Sequence, residues 1–198
     1  MKRFAACFLL TLFVWMGSLG SRGLADSKPM LALLGNALEQ TRQTLYYDSA
    51  YTKLPFPGGD VPLERGVCTD VIVRAFRAAG VDLQVEVNRD MKKNFSAYPK
   101  IWGLTGPDTN IDHRRVPNLM KFFERKGKSL PVSDKPEDYL PGDVVAWRLP
   151  NGLYHIGLVS NLPSSDPRRF LVIHNIGQGT KTEDVLFAFE QLGHYRYF

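Results

Sequence analysis

The apolar pattern of this 198-residue chain changes once along its length, from a helical period to alternation, and that change restricts the fold most. Leu31, Leu34, Leu38 and Leu45 share one helical face, which predicts a first helix over about residues 30–46. Pro55, Pro57, Gly58 and Gly59 then make a loop. The stretch VCTDVIVRAFRAAG starts a second helix at Cys68 and ends it at Gly80. A weaker third helix is expected over about 84–97. VPNLMKFFERKG gives a fourth, with Pro117 near its start and Gly127 at its end. Tyr98-Pro99, Gly106-Pro107 and Asp112-His113-Arg114-Arg115 mark an irregular stretch between the last two. After Pro141-Gly142-Asp143 the segments are short and strand-like: VVAWRL, HIGLVS, FLVIH, DVLFAF and HYRYF. Helices first and antiparallel strands afterwards predict an α+β fold, with N-terminal helices packed on a C-terminal antiparallel sheet.

The N-terminus reads as an export signal. Lys2 and Arg3 precede an apolar run from Phe4 to Met16, and small residues lead to Gly23, Leu24 and Ala25. The run is shorter than the roughly 20 apolar residues of a spanning helix. We therefore expect a signal peptide over 1–25, one domain over 26–198, a periplasmic or secreted location and no stable membrane span after cleavage. Loss of Lys2, Arg3 and Arg22, with no acid, lowers the formal charge of +5 by three. The alkaline pI of about 9.2 is then no argument for a nucleic-acid partner. The exported part keeps one cysteine, Cys68, which is expected to be buried, intermolecular or functional, because it has no internal disulfide partner.

Cys68 stands at a helix start, where unpaired N–H groups and the macrodipole favour a thiolate. His155 and His174 are equidistant from the middle of the loop Asn161–Arg168. A symmetric hairpin places them directly opposite on one face, with Cβ atoms about 5 Å apart. Cys68, Ile72, Ala75 and Ala79 form the apolar stripe of the second helix, so the thiol points toward the sheet. A thiol, a histidine and a polar group that steadies it are the minimal machinery of acyl transfer. Cys68 is the candidate nucleophile, His155 the base and His174 the orienting group, with the backbone N–H groups of Cys68 and Thr69 as oxyanion donors. Asp70 opposes thiolate formation unless it points to solvent. No cofactor is indicated. A zinc site on Cys68, His155 and His174 lacks close-spaced ligand pairs, so no metal is expected. His113 and His194 are read as structural, and Gly177 and Gly179 as turn residues.

Cys68 at its helix start, Pro-Gly-Asp before a strand, His155-Ile-Gly-Leu-Val and Ile173-His174 resemble the NlpC-type cysteine peptidases of the papain superfamily. Asn94–Pro99, Asn110–Leu119 and His174-Asn-Ile-Gly-Gln-Gly are more specifically similar to a bacterial domain-of-unknown-function family, number 1287, over about residues 30–198. The first resemblance implies a papain-like, NlpC-like fold and a thiol hydrolase. It also implies a substrate in the stem peptides of cell-wall peptidoglycan. Arg114 and Arg115 are then candidates for stem-peptide carboxylates. Tyr51, Tyr98 and Trp102 are candidates for lining the cleft. The chain departs from the peptidase pattern at Val67, where an aspartate commonly stands, and in an inserted segment from about Asp82 to Arg115. The alternatives are an acyltransferase built on the same three residues and a catalytically inactive domain that binds cell wall or a partner.

Overall fold

The computed structural model describes residues 27–198; the expected leader over 1–25 lies outside them. Helix α1, Lys28–Gln43, starts where the Ser27 hydroxyl accepts the Met30 N–H and buries Leu33, Leu34 and Ala37. It is followed by β1, Tyr46–Tyr47, and after the proline-glycine loop by β2, Arg65–Gly66, a short parallel pair. Helix α2, Cys68–Ala78, is apolar enough to be buried from Cys68 through Phe76. It is followed by α3, Leu83–Asn94, which Asp82 caps, and by α4, Val116–Arg125, with proline in its first turn. The strands are β3 Ser129–Leu130, β4 Val144–Arg148, β5 Tyr154–Pro163, β6 Phe170–Asn175, β7 Thr180–Glu183 and β8 Glu190–Tyr195. They form one antiparallel sheet in the order β3-β8-β4-β5-β6-β7. This is the α+β arrangement expected from the sequence. Among the described residues no helix is long and apolar enough to cross a membrane.

Alternation along the strands separates two apolar layers. Val144, Ala146, Ile156, Leu158 and Ile173 pack with Leu33, Val71, Ile72, Phe76 and Leu119 in the helix-covered core. Val145, Trp147, Val159 and Val172 face the other way and are covered by Tyr139 and Leu186. The segment DVLFAF, expected as a strand, is instead the turn that supplies this second cover. Gly179 restarts the chain early, at φ +81° and so close to Thr44 and Leu45 that no side chain fits. Thr180 donates its N–H to Thr44 O at 2.8 Å, and β7 is complete by Glu183. Leu186 then turns inward, and its carbonyl accepts the buried Trp147 Nε1–H at 3.1 Å. That indole N–H would otherwise be unpaired in the core.

The loop between α1 and α2 is held by Arg74. Its guanidinium makes a two-point contact with Asp60, at 2.8 and 3.0 Å, and donates to Thr44 Oγ1 and to the carbonyls of Val61, Pro62 and Arg65. Removing one partner of such a cluster leaves the others desolvated and unpaired. Arg74→Met should therefore lower stability by about 3 kcal/mol, read as a shift in urea midpoint at unchanged slope. A loss within experimental error would show that the loop holds itself.

Candidate active site

The start of α2 is built by a carboxylate. Asp70, three residues beyond the N-cap Val67, reaches back to accept the Val67 N–H at 2.7 Å. It does not point to solvent, the orientation in which it would not oppose a thiolate. It is buried, and Arg114 neutralises it through two hydrogen bonds, Nε to Oδ1 at 2.9 Å and Nη2 to Oδ2 at 3.0 Å. Arg114 also donates to the carbonyls of Asp48 and Ala50. This guanidinium, expected to meet substrate carboxylates, is thus committed to Asp70 even though part of it borders the cavity described below.

With Asp70 turned back, Cys68 stands at the first helical position, 6 % exposed. The backbone N–H groups of Ile156, Thr69 and Cys68 itself face its sulfur. The Ile156 contact locates the thiol on the sheet. Val159 exchanges backbone hydrogen bonds with Gly142 and Asp143 on the β4 side, so two-residue alternation turns the Ile156 N–H toward β6. The β5–β6 ladder has by then ended, at Leu158–Ile173. The Ile156 N–H that β6 no longer pairs thus faces the sulfur of Cys68.

His155 and His174 share a face, although not as direct neighbours. Leu158 pairs with Ile173 and Val159 with Val172, which sets Gly157, not His155, opposite His174. The hairpin turns late, with Pro163 paired to Phe170 four residues out of the symmetric register, and the irregularity between Val159 and Pro163 takes back two of these, leaving a net offset of two. A shift of two preserves the face where a shift of one would have reversed it. The rings meet diagonally, His155 Nε2 to His174 Nδ1 at 2.9 Å. Gly157 makes this crossing possible: a Cβ there would lie 2.6 Å from Val172 Cγ1 and 3.2 Å from both His174 Cβ and Trp147 Cζ3. Trp147 stacks on His155 with centroids 5.8 Å apart. Behind His174, Nε2 lies 3.0 Å from Glu183 Oε2, off the N–H direction, so the contact is chiefly electrostatic. Glu183 was not anticipated, because the strand carrying it was expected four residues later.

Burial dominates the electrostatics. It pushes the Cys68 thiol up to about 12, the facing N–H groups offsetting part of this and Asp70 adding to it. It pushes His155 down to about 3, with His174 a smaller contribution in the same direction. His174 is also held below the ordinary histidine value by burial, against the pull of Glu183. The resting pair is therefore neutral thiol and neutral imidazole rather than a preformed ion pair. Among the described residues no hydrogen bond joins Cys68 to His155, whose Nε2 is taken by His174.

Cys68 opens on a cavity of about 180 Å³ bordered by Tyr47, Trp102, Tyr154, Arg114 and Arg115. Of the residues expected to meet substrate, Trp102 and Arg115 are here, with the guanidinium 4.1 Å above the indole ring. Tyr51 is at a separate depression, bonded to Asp108 and Asn110. Tyr98 is 2 % exposed and donates to Asp90 at 2.7 Å, a core residue and not a cleft one. Tyr47 and Tyr154 were not anticipated. His113 is buried, and His194 is held 2.7 Å from Asp143 and stacked on Tyr139. Among the described residues no group of three or more His, Cys, Asp or Glu side chains is arranged to hold a metal ion.

The sequence profile of a domain of unknown function, DUF1287, matches residues 34–197. The chain belongs to the DUF1287 family. This DUF1287 chain is 56 % identical over 168 residues to the uncharacterized protein YijF of Escherichia coli (strain K12), covering 85 % of the chain and 82 % of the relative. The crystal structure of a protein similar to lipoprotein, of the NLP/P60 family, from Staphylococcus aureus subsp. aureus Mu50 aligns with 14 % identity and a TM-score of 0.46. The alignment covers 86 % of this chain and 42 % of that one, so the DUF1287 chain spans less than half of that protein's length.

The buried neutral histidines make stability depend on pH. His155 at about 3 and His113 at about 4 both lie below the free value of 6.5, so the unfolded chain takes up their protons first as pH falls. Their contribution is complete above about pH 6.5 and is lost progressively below it. Thermal midpoints should fall between about pH 6.5 and 4.5, above the main carboxylate range, and His113→Gln should flatten that decline. An unchanged pH dependence in the variant would contradict the burial of a neutral His113.

Proposed function

We propose that this protein is an exported cysteine amidase or peptidase that hydrolyses an amide bond, in the stem peptides of peptidoglycan, through Cys68, His155 and His174. The observation that carries this reading is the 2.9 Å contact between the two rings, with a helix-start thiol faced by the backbone N–H of Ile156, the residue following His155. The resemblance to NlpC-type peptidases supplies the substrate class, and the expected leader over 1–25 the export. Catalytic hydrogen bonds are often long or absent before substrate binds and tighten in the complex. His155 Nε2 is engaged by His174, which leaves Nδ1 for the thiol proton.

In this reading the thiol proton passes to His155 Nδ1 as the sulfur attacks the amide carbonyl. The carbonyl π pair moves onto oxygen, where the N–H groups of Cys68 and Thr69 receive it. The C–N bond then breaks and the amine leaves with the proton from His155. A water, deprotonated by the same nitrogen, hydrolyses the thioester and restores the thiol. Trp102, Tyr47 and Tyr154 offer apolar walls to the substrate. Arg115 offers the charge that meets its carboxylate, although it shares that charge with Asp112 at 3.2 Å.

Incubating the protein with purified peptidoglycan fragments and reading products by mass tests the substrate. Release of an amine and an acid supports hydrolysis. A product joined to the added amine points to the acyltransferase alternative, and retention without turnover to a binding domain. Cys68→Ala and His155→Ala should each lower kcat/KM by about a thousandfold or more, and the double variant by no more than either, since the two act as one unit. His174→Ala should cost less, about 10- to 100-fold. Equal, additive losses at the three positions would contradict a shared mechanism.

The pH profile follows from the neutral resting pair. Activity is lost on the acid side when His155 takes up a proton, and burial places that event below the ordinary histidine value of 6.5. The acid limb of kcat/KM should therefore lie well under pH 6.5. A limb at or above that value would mean that the free enzyme exposes its base to water.

A further inference from the structure

We propose that Glu183 is a positioning residue that fixes the proton arrangement of the histidine pair, holding the Nε2 proton of His174 so that His155 keeps a bare Nδ1 toward Cys68. The last clause rests on the reading of His155 as base; the proton arrangement itself does not. The His155–His174 contact is ambiguous taken alone. Either His155 Nε2 donates to His174 Nδ1, or the reverse. Only the first arrangement leaves His155 Nδ1 able to accept a proton. In the second, Nδ1 already carries one and cannot act as base.

Glu183 resolves this ambiguity. Its Oε2 lies 3.0 Å from His174 Nε2, and that nitrogen is buried without an aligned hydrogen-bond partner. A bare ring nitrogen is electron-rich, and a carboxylate oxygen at this separation would repel it even out of line. A protonated one is attracted to that oxygen. The Glu183 side chain is 41 % exposed at the end of β7, free to rotate its oxygen into line. Lys181 stands opposite His174 in the ladder, but its ammonium donates to Gln178 Oε1 at 2.9 Å and can accept nothing. With the proton on Nε2, His174 Nδ1 is an acceptor, His155 must donate from Nε2, and His155 Nδ1 is bare. One carboxylate on the edge strand thus sets the tautomers of two rings, the farther of them without contact.

The test is long-range ¹H–¹⁵N spectroscopy of the histidine-labelled protein at neutral pH, combined with the rate of Cys68 alkylation by iodoacetamide. In the wild type, His155 and His174 should both carry the proton on Nε2, with Nδ1 bare. In Glu183→Ala, His174 should become a mixture of tautomers and alkylation should slow by about tenfold or more. Glu183→Gln keeps an acceptor oxygen without the charge and should give a smaller loss than alanine. Wild-type His174 with a bare Nε2 would overturn the proposal, as would tautomers and alkylation unchanged in Glu183→Ala. Should the alanine variant fail to fold by circular dichroism, the wild-type tautomers and the glutamine variant decide. The expected tautomers with no turnover of wall fragments would refute the hydrolase and leave this arrangement standing. Turnover with the opposite tautomers would refute the arrangement alone.

Discussion

The buried pair of Asp70 and Arg114 is the contact on which the candidate site depends. A carboxylate in the first turn of α2 caps the helix, yet left uncompensated it would raise the cost of any negative charge on the neighbouring sulfur. Arg114 pairs with that carboxylate through two hydrogen bonds, so that Asp70 adds less than burial to the rise of the thiol, and ties the helix start to the carbonyls of Asp48 and Ala50. Thr69 closes the same joint by donating its hydroxyl to the Arg114 carbonyl at 3.0 Å. One ion pair therefore joins three stretches of chain distant in sequence and frames the cavity that Cys68 faces. Its geometry also explains why Arg114 is a poor candidate for binding substrate: a guanidinium holding a buried carboxylate cannot leave it cheaply.

The sheet contributes the other half. β5 and β6 part company after Leu158–Ile173, and each side of that divergence is used. An unpaired strand N–H goes to the thiol, and the side chain of Asn175 crosses to donate to Gly66 O at 3.1 Å beside the helix start. The histidines occupy the face backed by Trp147 and Val172, where dry surroundings keep both rings neutral. Low dielectric disfavours a standing ion pair. The depressed imidazole and the elevated thiol are one consequence of burial seen from two sides.

Much of this architecture was legible in the sequence because it rests on local rules. Four helices were readable from period, Pro117, Gly80 and Gly127, and the strands VVAWRL, HIGLVS and FLVIH from alternation. DVLFAF failed because its apolar residues serve the second core from a turn. Alternation cannot tell a strand from a turn that buries one leucine to satisfy an indole N–H. Tyr98 and Trp102 lie four residues apart on irregular chain, and no local signal separates the core tyrosine from the cavity tryptophan. Glu183 was invisible for a related reason, since its meaning depends on the residue at which β7 begins.

The sequence by itself determined a helix-start cysteine turned toward the sheet, and two histidines on adjacent strands that share a face. These follow from periods of 3.6 and 2, which are properties of short stretches of chain. Only the tertiary structure decided how they meet. The late turn at Pro163–Phe170 and the irregularity in β5 together left the hairpin register two residues from symmetric, keeping the face and making the contact diagonal. Arg114, forty-four residues away, neutralised the carboxylate beside the thiol. The packing of the helices over the sheet set the burial that raises the thiol and lowers the imidazole. Register, ion pairing and desolvation are sums over neighbours distant in sequence, and no window of sequence contains them.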